Sequence, residues 1–568
     1  MDTVVTIAAE YAGPRTRQGP MTMGQANMAR CVLRDPPLHM NFRVTKRLPE
    51  GTPLSAVTEA VGRLLSRHEG LRTTIHSDVQ VVAGSGSLPI EVHDAGTGAE
   101  TGAETGAGTG LLDEVAEEVG LRMQGTRFDL RAELPIRVAV VTEGETPRLV
   151  IFVLPHTSVD AIGLATVMRE WERLVRGVAV PPPCPTQPLD LATAEGTPAA
   201  LRRTEAALRH WENGLRRAPQ SMFAIDEAAR ADTDAIRPRL RVRSAVAARA
   251  LEAVASRTGA SRSAITLAAL GVLVGLRNGQ RSCVIASLAS NRVRPELRDY
   301  VGPLAQDALM TADLDAPTFD EAVRRFRGAS LSGYQHSRFD SVALWEVIEA
   351  VNAERGVDFA RDCVFNDMSG VTVPDPGPGP SAWIECDWLP AASLPAHLAL
   401  WANRLEDVVD LTLWIDPRVM SRTEAEEFGT GIVRLLIAAG DGDLHTSDIS
   451  DISGISPIER GPEWIHTDSC WVDLGAVERL VGEAVQGRPH LVTHDQEGRL
   501  TCHVTSGTPE EIRAACLALL PGRTSAMAPH HYVVHAEGPT GESLQGPVVT
   551  EGDGRHSISV GPARVRNQ

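Results

Sequence analysis

The chain has 568 residues, 43% of them hydrophobic, and its 73 acidic side chains outnumber the 55 basic ones to give a formal net charge of -18. This length predicts about three to four domains of ordinary size, and the acidic balance argues against a nucleic-acid partner held through its phosphates. Lys46 is the only lysine in the sequence, which excludes a Walker-type phosphate loop.

The cysteines favour a reduced protein without a metal. All eight are scattered along the chain, with no CxxC pair and no Cys/His spacing typical of zinc sites. The N-terminal stretch lacks the basic region of a signal peptide, and no run of about 18 apolar residues occurs. The sequence therefore predicts a cytoplasmic protein with no structural disulfide, no bound metal and no membrane contact.

Alternating apolar patterns in the first part of the chain predict a mixed α/β domain. Residues 95–110 are rich in Gly, Ala, Glu and Thr, and this composition predicts a disordered surface insertion. The other elements predicted ahead of the proline-rich stretch 181–185 are a loose lead-in over 1–20, a helical segment from 20 to 28, a strand over 38–44, helices over 54–67 and 111–123, and strands over 136–141 and 149–154.

The most informative stretch is an apolar run that ends in a polar turn. Residues 149–154 are typical of a buried strand, and Pro155 ends the strand because proline cannot donate a ladder hydrogen bond. His156 and Asp160 follow, ahead of an amphipathic helix over 164–175. Proteins often place chemistry in such a strand-to-helix turn, although a single histidine there more commonly makes only a turn hydrogen bond.

The second part of the chain repeats the mixed pattern and ends in a shorter segment of similar character. The elements predicted there are helices over 199–215, 245–257, 263–276, 317–327, 339–351 and 423–436, and strands over 283–288, 362–367, 398–401 and 408–415.

The order of several motifs resembles that of the condensation domains of nonribosomal peptide synthetases. RHEGLRTTI, at residues 67–75, is the most specific of these motifs. The others are MTMGQANM (21–28), FDLRAELPIRV (128–138), PHTSVDA (155–161), HWENGL (210–215), SNRVRPELRDYVGPLAQDAL (290–309) and LWIDPRVMSRTEAEEF (413–428). Together they cover roughly residues 20–440 in the family's order.

This resemblance implies an α/β (α+β) fold of two chloramphenicol-acetyltransferase-like lobes packed in a V, with the active site between them. A small α+β C-terminal domain, which resembles the C-terminal subdomain of adenylation domains without its lysine, is expected to follow. The implied divisions are an N-lobe over 20–185 with its insertion over 95–110, a C-lobe over 186–450, a linker over 451–467, the degenerate adenylation-like unit over 468–550 and a tail over 551–568.

The resemblance also assigns the candidate site. PHTSVDA stands where the family has HHxxxDG, so His156 would be the catalytic histidine and Asp160 the aspartate that pairs with an arginine of the second lobe. Arg292 is the candidate for that arginine, and Asn366 matches a polar residue near the site. The family's first histidine is Pro155 here, and its glycine is Ala161, whose backbone N–H would still be able to serve an oxyanion.

The implied activity is that of a free-standing condensation enzyme, which joins an acyl thioester on a carrier protein to an amine. The substrates would be presented on the 4'-phosphopantetheine arms of peptidyl or acyl carrier proteins, with a free amine as an alternative second substrate and no tightly bound cofactor. Because Pro155 and Ala161 depart from the motif, the alternative is a non-catalytic protein of the same fold that recruits a carrier protein or a tailoring enzyme. Ester formation and epimerisation are lesser alternatives.

Overall fold

The computed structural model describes residues 5–96, 107–223, 225, 235–370, 383–536 and 546–555. Most of the insertion predicted over 95–110 lies outside the described residues. Among those residues, no single helix is long and apolar enough to cross a membrane. Two helices, Ala245–Thr258 and Arg262–Asn278, reach the required length and composition only when joined, and they meet at a bend of 100°.

The first lobe is built on two sheets. Its strands and helices are β1 (Val5–Ala12), β2 (Arg17–Pro20), α1 (Met23–Arg34), α2 (Pro37–Met40), β3 (Asn41–Arg47), α3 (Leu54–Arg67), β4 (Thr73–His76), β5 (Val79–Val82), β6 (Ser85–Asp94), α4 (Ala107–Gly125), β7 (Arg137–Glu143), β8 (Thr146–Pro155) and α5 (Ala161–Leu174). A five-stranded sheet forms the centre of the lobe, in the order β1-β6-β7-β8-β3, and a three-stranded sheet has the order β2-β5-β4.

Two predictions for this lobe were wrong. The prediction of a loose lead-in over 1–20 misses β1, which pairs with β6 and buries Ala9 and Tyr11, so the first lobe begins before residue 20. The strand predicted over 38–44 begins only at Asn41, because Pro37 starts the short helix α2. Proline at the first position of a helix has the required backbone angle already set, and this turn places His39 outside the sheet.

The second lobe is built on a seven-stranded sheet in the order β11-β10-β12-β14-β15-β9-β13. Helix α9 is buried along most of its length, from Ala264 to Gly275, which explains why its sequence is apolar on every side. The elements of this lobe are α6 (Pro188–Glu195), α7 (Pro198–Leu215), β9 (Ile236–Ser244), α8 (Ala245–Thr258), α9 (Arg262–Asn278), β10 (Ser282–Ala289), β11 (Gln306–Asp313), α10 (Phe319–Gln335), α11 (Ser341–Arg355), β12 (Cys363–Asp367), β13 (Glu385–Ser393), β14 (Leu398–Arg404), β15 (Val409–Ile415), α12 (Arg422–Asp441) and α13 (Ile449–Ser453).

The C-terminal unit contains a hairpin and a four-stranded sheet in the order β18-β19-β20-β21. Its elements are β16 (Trp464–Thr467), β17 (Cys470–Asp473), α14 (Leu474–Ala484), β18 (His490–His494), β19 (Leu500–Val504), α15 (Pro509–Leu519), β20 (His531–His535) and β21 (Val548–Gly552). The predicted linker over 451–467 is shorter in the structure, because α13 and β16 occupy its two ends. The predicted tail begins later, because β21 extends to Gly552.

This unit packs directly against helix α11 of the second lobe. The Ala528 N–H donates to the Gly356 carbonyl at 2.8 Å, and the buried Arg513 guanidinium donates to the Ala353 carbonyl at 2.5 Å. Val357 contributes its side chain to the core of the unit. The likeness of this unit to an adenylation subdomain stays a prediction.

Helix α1 begins at a buried capping box and touches the second lobe. The Thr22 hydroxyl accepts the Gln25 N–H at 3.0 Å, and the Gln25 side chain accepts the Thr22 N–H at 2.9 Å. In the first turn, a Cβ added at Gly24 would lie 1.9 Å from the Pro303 carbonyl oxygen. Only glycine therefore allows the two lobes to approach this closely.

We predict that Gly24→Ala lowers the free energy of unfolding by about 1–3 kcal/mol, the usual cost of overpacking. Gly328→Ala is the matched control, because Gly328 is also helical but a Cβ there meets nothing within 4 Å. The free energy of unfolding of this control should stay unchanged or rise by up to about 1 kcal/mol, because alanine has the higher helix propensity. Urea unfolding measures both variants, and equal behaviour would contradict the close contact between Gly24 and Pro303.

Candidate functional site between the lobes

The loop that carries His156 is held by the neighbouring strand β3. Strand β8 ends at Pro155, which lies opposite Asn41 in the antiparallel ladder. The His156 N–H donates to the Met40 carbonyl at 3.0 Å, and the imidazole packs against the Phe42 ring at a centroid distance of 4.1 Å. The backbone and the ring of His156 are therefore both positioned by residues 40–42.

Asp160 caps helix α5 and joins the two lobes. One carboxylate oxygen accepts the Gly163 N–H at 2.8 Å, as expected of an N-cap aspartate. Both oxygens accept the Arg292 guanidinium, at 2.6 and 2.7 Å, in a two-pronged ion pair whose side chains are each only 6% exposed. The N–H groups of Leu304 and Ala305 donate to the same carboxylate at 3.0 and 3.1 Å. The predicted pairing of Asp160 with Arg292 is present.

A strained turn aims Arg292 at the first lobe. Asn291 has a φ of 55°, in the left-handed region that asparagine tolerates better than most residues. Its side chain donates to the carbonyls of Leu304 and Ser337 and accepts the Ser337 hydroxyl, which fixes the turn. Arg292 also donates to the Tyr300 carbonyl at 3.1 Å. Asn291 was not among the residues predicted for the site; the available signal was an asparagine two residues after the end of strand β10.

The electrostatic setting keeps the His156 ring neutral. Burial, with a smaller contribution from the nearby His39, lowers the pKa of His156 to about 3, and the charge of Asp160 opposes both effects. Within the described part of the chain, no hydrogen-bond partner reaches either ring nitrogen of His156. The imidazole is therefore neutral at physiological pH, with one unpaired nitrogen lone pair available to a substrate.

His39 is a second histidine at this site, and the sequence analysis missed it. It lies in α2, and its Nδ1 is 3.2 Å from the Ser393 carbonyl of β13, so Nδ1 carries the proton and donates it across the lobes. Burial lowers the pKa of His39 as well. The sequence around His39 gave no sign of a functional residue, because His39 lies in a proline-containing turn more than 100 residues before the PHTSVDA motif.

The remaining predicted residues lie in different settings. Ala161 is the first residue of α5, so its N–H is one of the free donors at a helix N-terminus. Asn366 is buried on β12, opposite Trp401 of β14. The described contacts do not connect Asn366 with the His156 loop. Its assignment to the site therefore stays a prediction, as do the roles of His156, Asp160 and Ala161.

We predict that Asp160→Ala lowers the free energy of unfolding by about 3–5 kcal/mol, because it leaves the Arg292 guanidinium buried without a counter-charge. Asp299→Ala is the matched control: Asp299 also pairs between the lobes, with Arg169 at 2.7 Å, but both side chains are more than half exposed. The control should cost no more than about 1 kcal/mol. Asp160→Ala combined with Arg292→Met should cost less than Asp160→Ala alone. Chemical denaturation measures all three, and an equal cost for the two aspartates would contradict this account.

The pKa of His156 predicts an acid-dependent loss of stability. Folding depresses this pKa from its ordinary value of 6.5 to about 3. Between these two pH values the unfolded chain binds a proton that the folded protein does not, so the free energy of unfolding is full above pH 6.5 and falls as the pH drops towards 3. The slope attributable to one such group is at most about 1.4 kcal/mol per pH unit. His156→Gln should flatten the dependence of unfolding free energy on pH between 6.5 and 4. The exposed His494 supplies the control, His494→Gln, and the prediction fails if both variants keep the wild-type slope.

Comparison with known proteins places these features in a family. The family model of the condensation domain matches residues 33–359, more than half of the chain. The phosphinothricin tripeptide synthetase PhsC of Streptomyces viridochromogenes is 26% identical over 292 residues, which are 48% of this chain. The chain spans 26% of the length of PhsC and 8% of the chondramide synthase of Chondromyces crocatus.

Solved structures show the same fold at low sequence identity. The X-domain in complex with OxyB, from teicoplanin biosynthesis, matches with a TM-score of 0.60 at 19% identity, over 77% of this chain and 97% of that one. A structure that concerns condensation domain-mediated chain release from the enacyloxin polyketide synthase matches with a TM-score of 0.54 at 17% identity, over 76% of this chain and 83% of that one. The ordered motifs, the paired lobes and the matched family model lead to one conclusion: the chain belongs to the condensation-domain family of nonribosomal peptide synthesis.

Proposed function

We propose that this protein is an acyltransferase-type condensation enzyme that forms an amide between a carrier-bound acyl thioester and an amine. The observation that carries the proposal is the His156 loop: a neutral, unpaired imidazole held between two lobes by the Asp160–Arg292 ion pair. The His156 ring is held in place, and no described group forms a hydrogen bond with it. The ring is therefore suited to accept a hydrogen bond from a substrate.

In the proposed reaction, the amine nitrogen attacks the thioester carbonyl carbon. A C–N bond forms, the C–S bond breaks, and the amine proton passes through His156 to the departing thiolate. Because its pKa of about 3 makes His156 a weak base, we assign it the orientation of the amine and brief proton transfer rather than storage of a proton. The Ala161 N–H, at the positive end of α5, is the proposed donor to the oxyanion of the tetrahedral intermediate.

The proposed partners are carrier proteins that present their substrates on phosphopantetheine arms, one of which could be replaced by a free amine. Support comes from the relatives, which include the phosphinothricin tripeptide synthetase and the tyrocidine synthase of Brevibacillus parabrevis. The proposed chemistry needs no tightly bound cofactor, since the thioester is already activated and positioning supplies much of the rate.

Recruitment of another protein is the second candidate function, and two observations favour it. Pro155 replaces the first histidine of the motif and is buried at the end of β8, where it cannot donate a hydrogen bond to the loop. The X-domain, which has the same fold, is seen in complex with OxyB. A protein of this kind would use the lobes as a binding platform and leave His156 without a chemical role.

Reconstitution with carrier proteins distinguishes the two functions. Each candidate carrier protein is loaded with its acyl or aminoacyl group, mixed with the protein, and followed by intact-protein mass spectrometry. We expect acyl transfer with the wild type, and a loss of about 10²–10⁴-fold in rate with His156→Ala, the usual contribution of general acid–base help.

His494→Ala serves as the matched control, because it removes an exposed histidine far from the loop in sequence. It should transfer at the wild-type rate. Carrier binding without transfer by the wild type, or full transfer by a folded His156→Ala variant, would contradict the catalytic proposal. The first of these outcomes would support recruitment.

A further inference from the structure

A cavity of about 250 Å³ at the boundary between the lobes contains an excess of positive charge. Its lining comes from both lobes: Met23 of α1, Glu195 of α6, Arg203 of α7, and Arg294 and Arg338 from the segments after β10 and α10. Three guanidinium groups and one carboxyl thus line the same space. None of these residues belongs to the His156 loop.

The arginines of this cavity have few counter-charges. Arg294 lies 3.5 Å from Glu296, in a pair whose side chains are about half exposed. Arg338 donates to the Asn291 carbonyl, but no carboxylate lies within ion-pair distance of Arg338 or Arg203 anywhere in the described ranges. Burial, and then the charges of Arg294 and Arg203, lower the pKa of Arg338, while the charge of Glu195 opposes this effect. Like charges gathered in a cavity without an anion are unfavourable, so the arrangement is suited to a bound anion.

Glu195 sets the charge of the cavity. Its carboxyl accepts the Met23 N–H at 2.8 Å and makes no ion pair with the arginines. With Glu195 ionised the lining carries a net charge of +2, because three guanidiniums face one carboxylate. This charge matches a dianion, such as a terminal phosphate, better than a carboxylate or a phosphodiester, each of which carries a single negative charge.

We propose that this cavity is a binding site for a small phosphate monoester or an equivalent dianion, held by Arg203, Arg294 and Arg338. Guanidinium groups bind phosphate through paired, charge-assisted hydrogen bonds, so a phosphate should bind here more tightly than a neutral metabolite does. Because Met23 belongs to the first lobe and the arginines to the second, the bound anion would lie across the boundary between the lobes.

The protonation of Glu195 gives the site a distinctive pH dependence. Burial raises the pKa of Glu195 to about 7, against the opposing effects of the hydrogen bond from the Met23 N–H and of the Arg338 charge. The other charged groups of the lining are arginines, which stay protonated, and the nearby Tyr300 hydroxyl has a pKa raised well above 10 by burial. As the pH falls from 8 to 6, Glu195 loses its negative charge and the site should bind a dianion more tightly.

Isothermal titration calorimetry on the full chain tests the proposal with inorganic phosphate, methyl phosphate and sulfate, and with dimethyl phosphate and acetate as monoanions. We expect the dianions to bind and the monoanions to bind at least about tenfold more weakly. Arg203→Ala, at an exposed position, should weaken sulfate binding by about tenfold or more, the usual value of a charged hydrogen bond. Arg202→Ala is the matched control, on the same helix but outside the cavity lining, and should bind as the wild type does.

The pH dependence is measured with sulfate, because sulfate itself does not titrate between pH 6 and 8. Wild-type affinity should rise as the pH falls, while Glu195→Gln should bind more tightly at pH 8 and lose the dependence. Absence of dianion binding at millimolar concentration would overturn the proposal. So would binding that Arg203→Ala leaves unchanged, since the anion would then lie elsewhere.

Discussion

The Asp160 carboxylate is the point on which the arrangement of the two lobes depends. It caps α5 in the first lobe, pairs with Arg292 of the second, and accepts the N–H groups of Leu304 and Ala305. A buried charge is tolerable only when its hydrogen bonds are all made, so these partners must assemble together. The same contacts fix the turn that carries His156, which couples the docking of the lobes to the geometry of the candidate site.

The docking of the two lobes determines the protonation state of the His156 ring. The partly buried position of the imidazole between the lobes favours its neutral form, with a pKa of about 3. A neutral ring can accept a hydrogen bond at any physiological pH, but it is a weak base. The geometry therefore supports orientation of a nucleophile more strongly than storage of a proton. His39, which donates across the lobes to the Ser393 carbonyl, adds a second imidazole whose neutral state has the same cause.

Electrostatics also separates the candidate site from the cavity that contains Arg203, Arg294 and Arg338. At the site, the arginine that crosses the boundary is matched by Asp160 at hydrogen-bond distance. In the cavity, three arginines face one carboxyl that pairs with none of them. Charge is balanced within the protein at the site, whereas in the cavity, within the described chain, only Arg294 has a carboxylate at ion-pair distance, Glu296 at 3.5 Å. The lobe boundary therefore has two places of different chemistry.

The sequence by itself determined the family, most of the strands and helices, and the pairing of Asp160 with Arg292, because these follow from local periodicity and from ordered motifs. It missed β1, since an edge strand with few buried residues gains its stability from pairing with β6, which lies 73 to 87 residues further along the chain. It also missed His39 and the cavity, because their neighbours come from distant parts of the chain. Only the tertiary structure decides which buried side chains share a space, and that proximity sets the pKa of His156 and the unbalanced charge around Glu195.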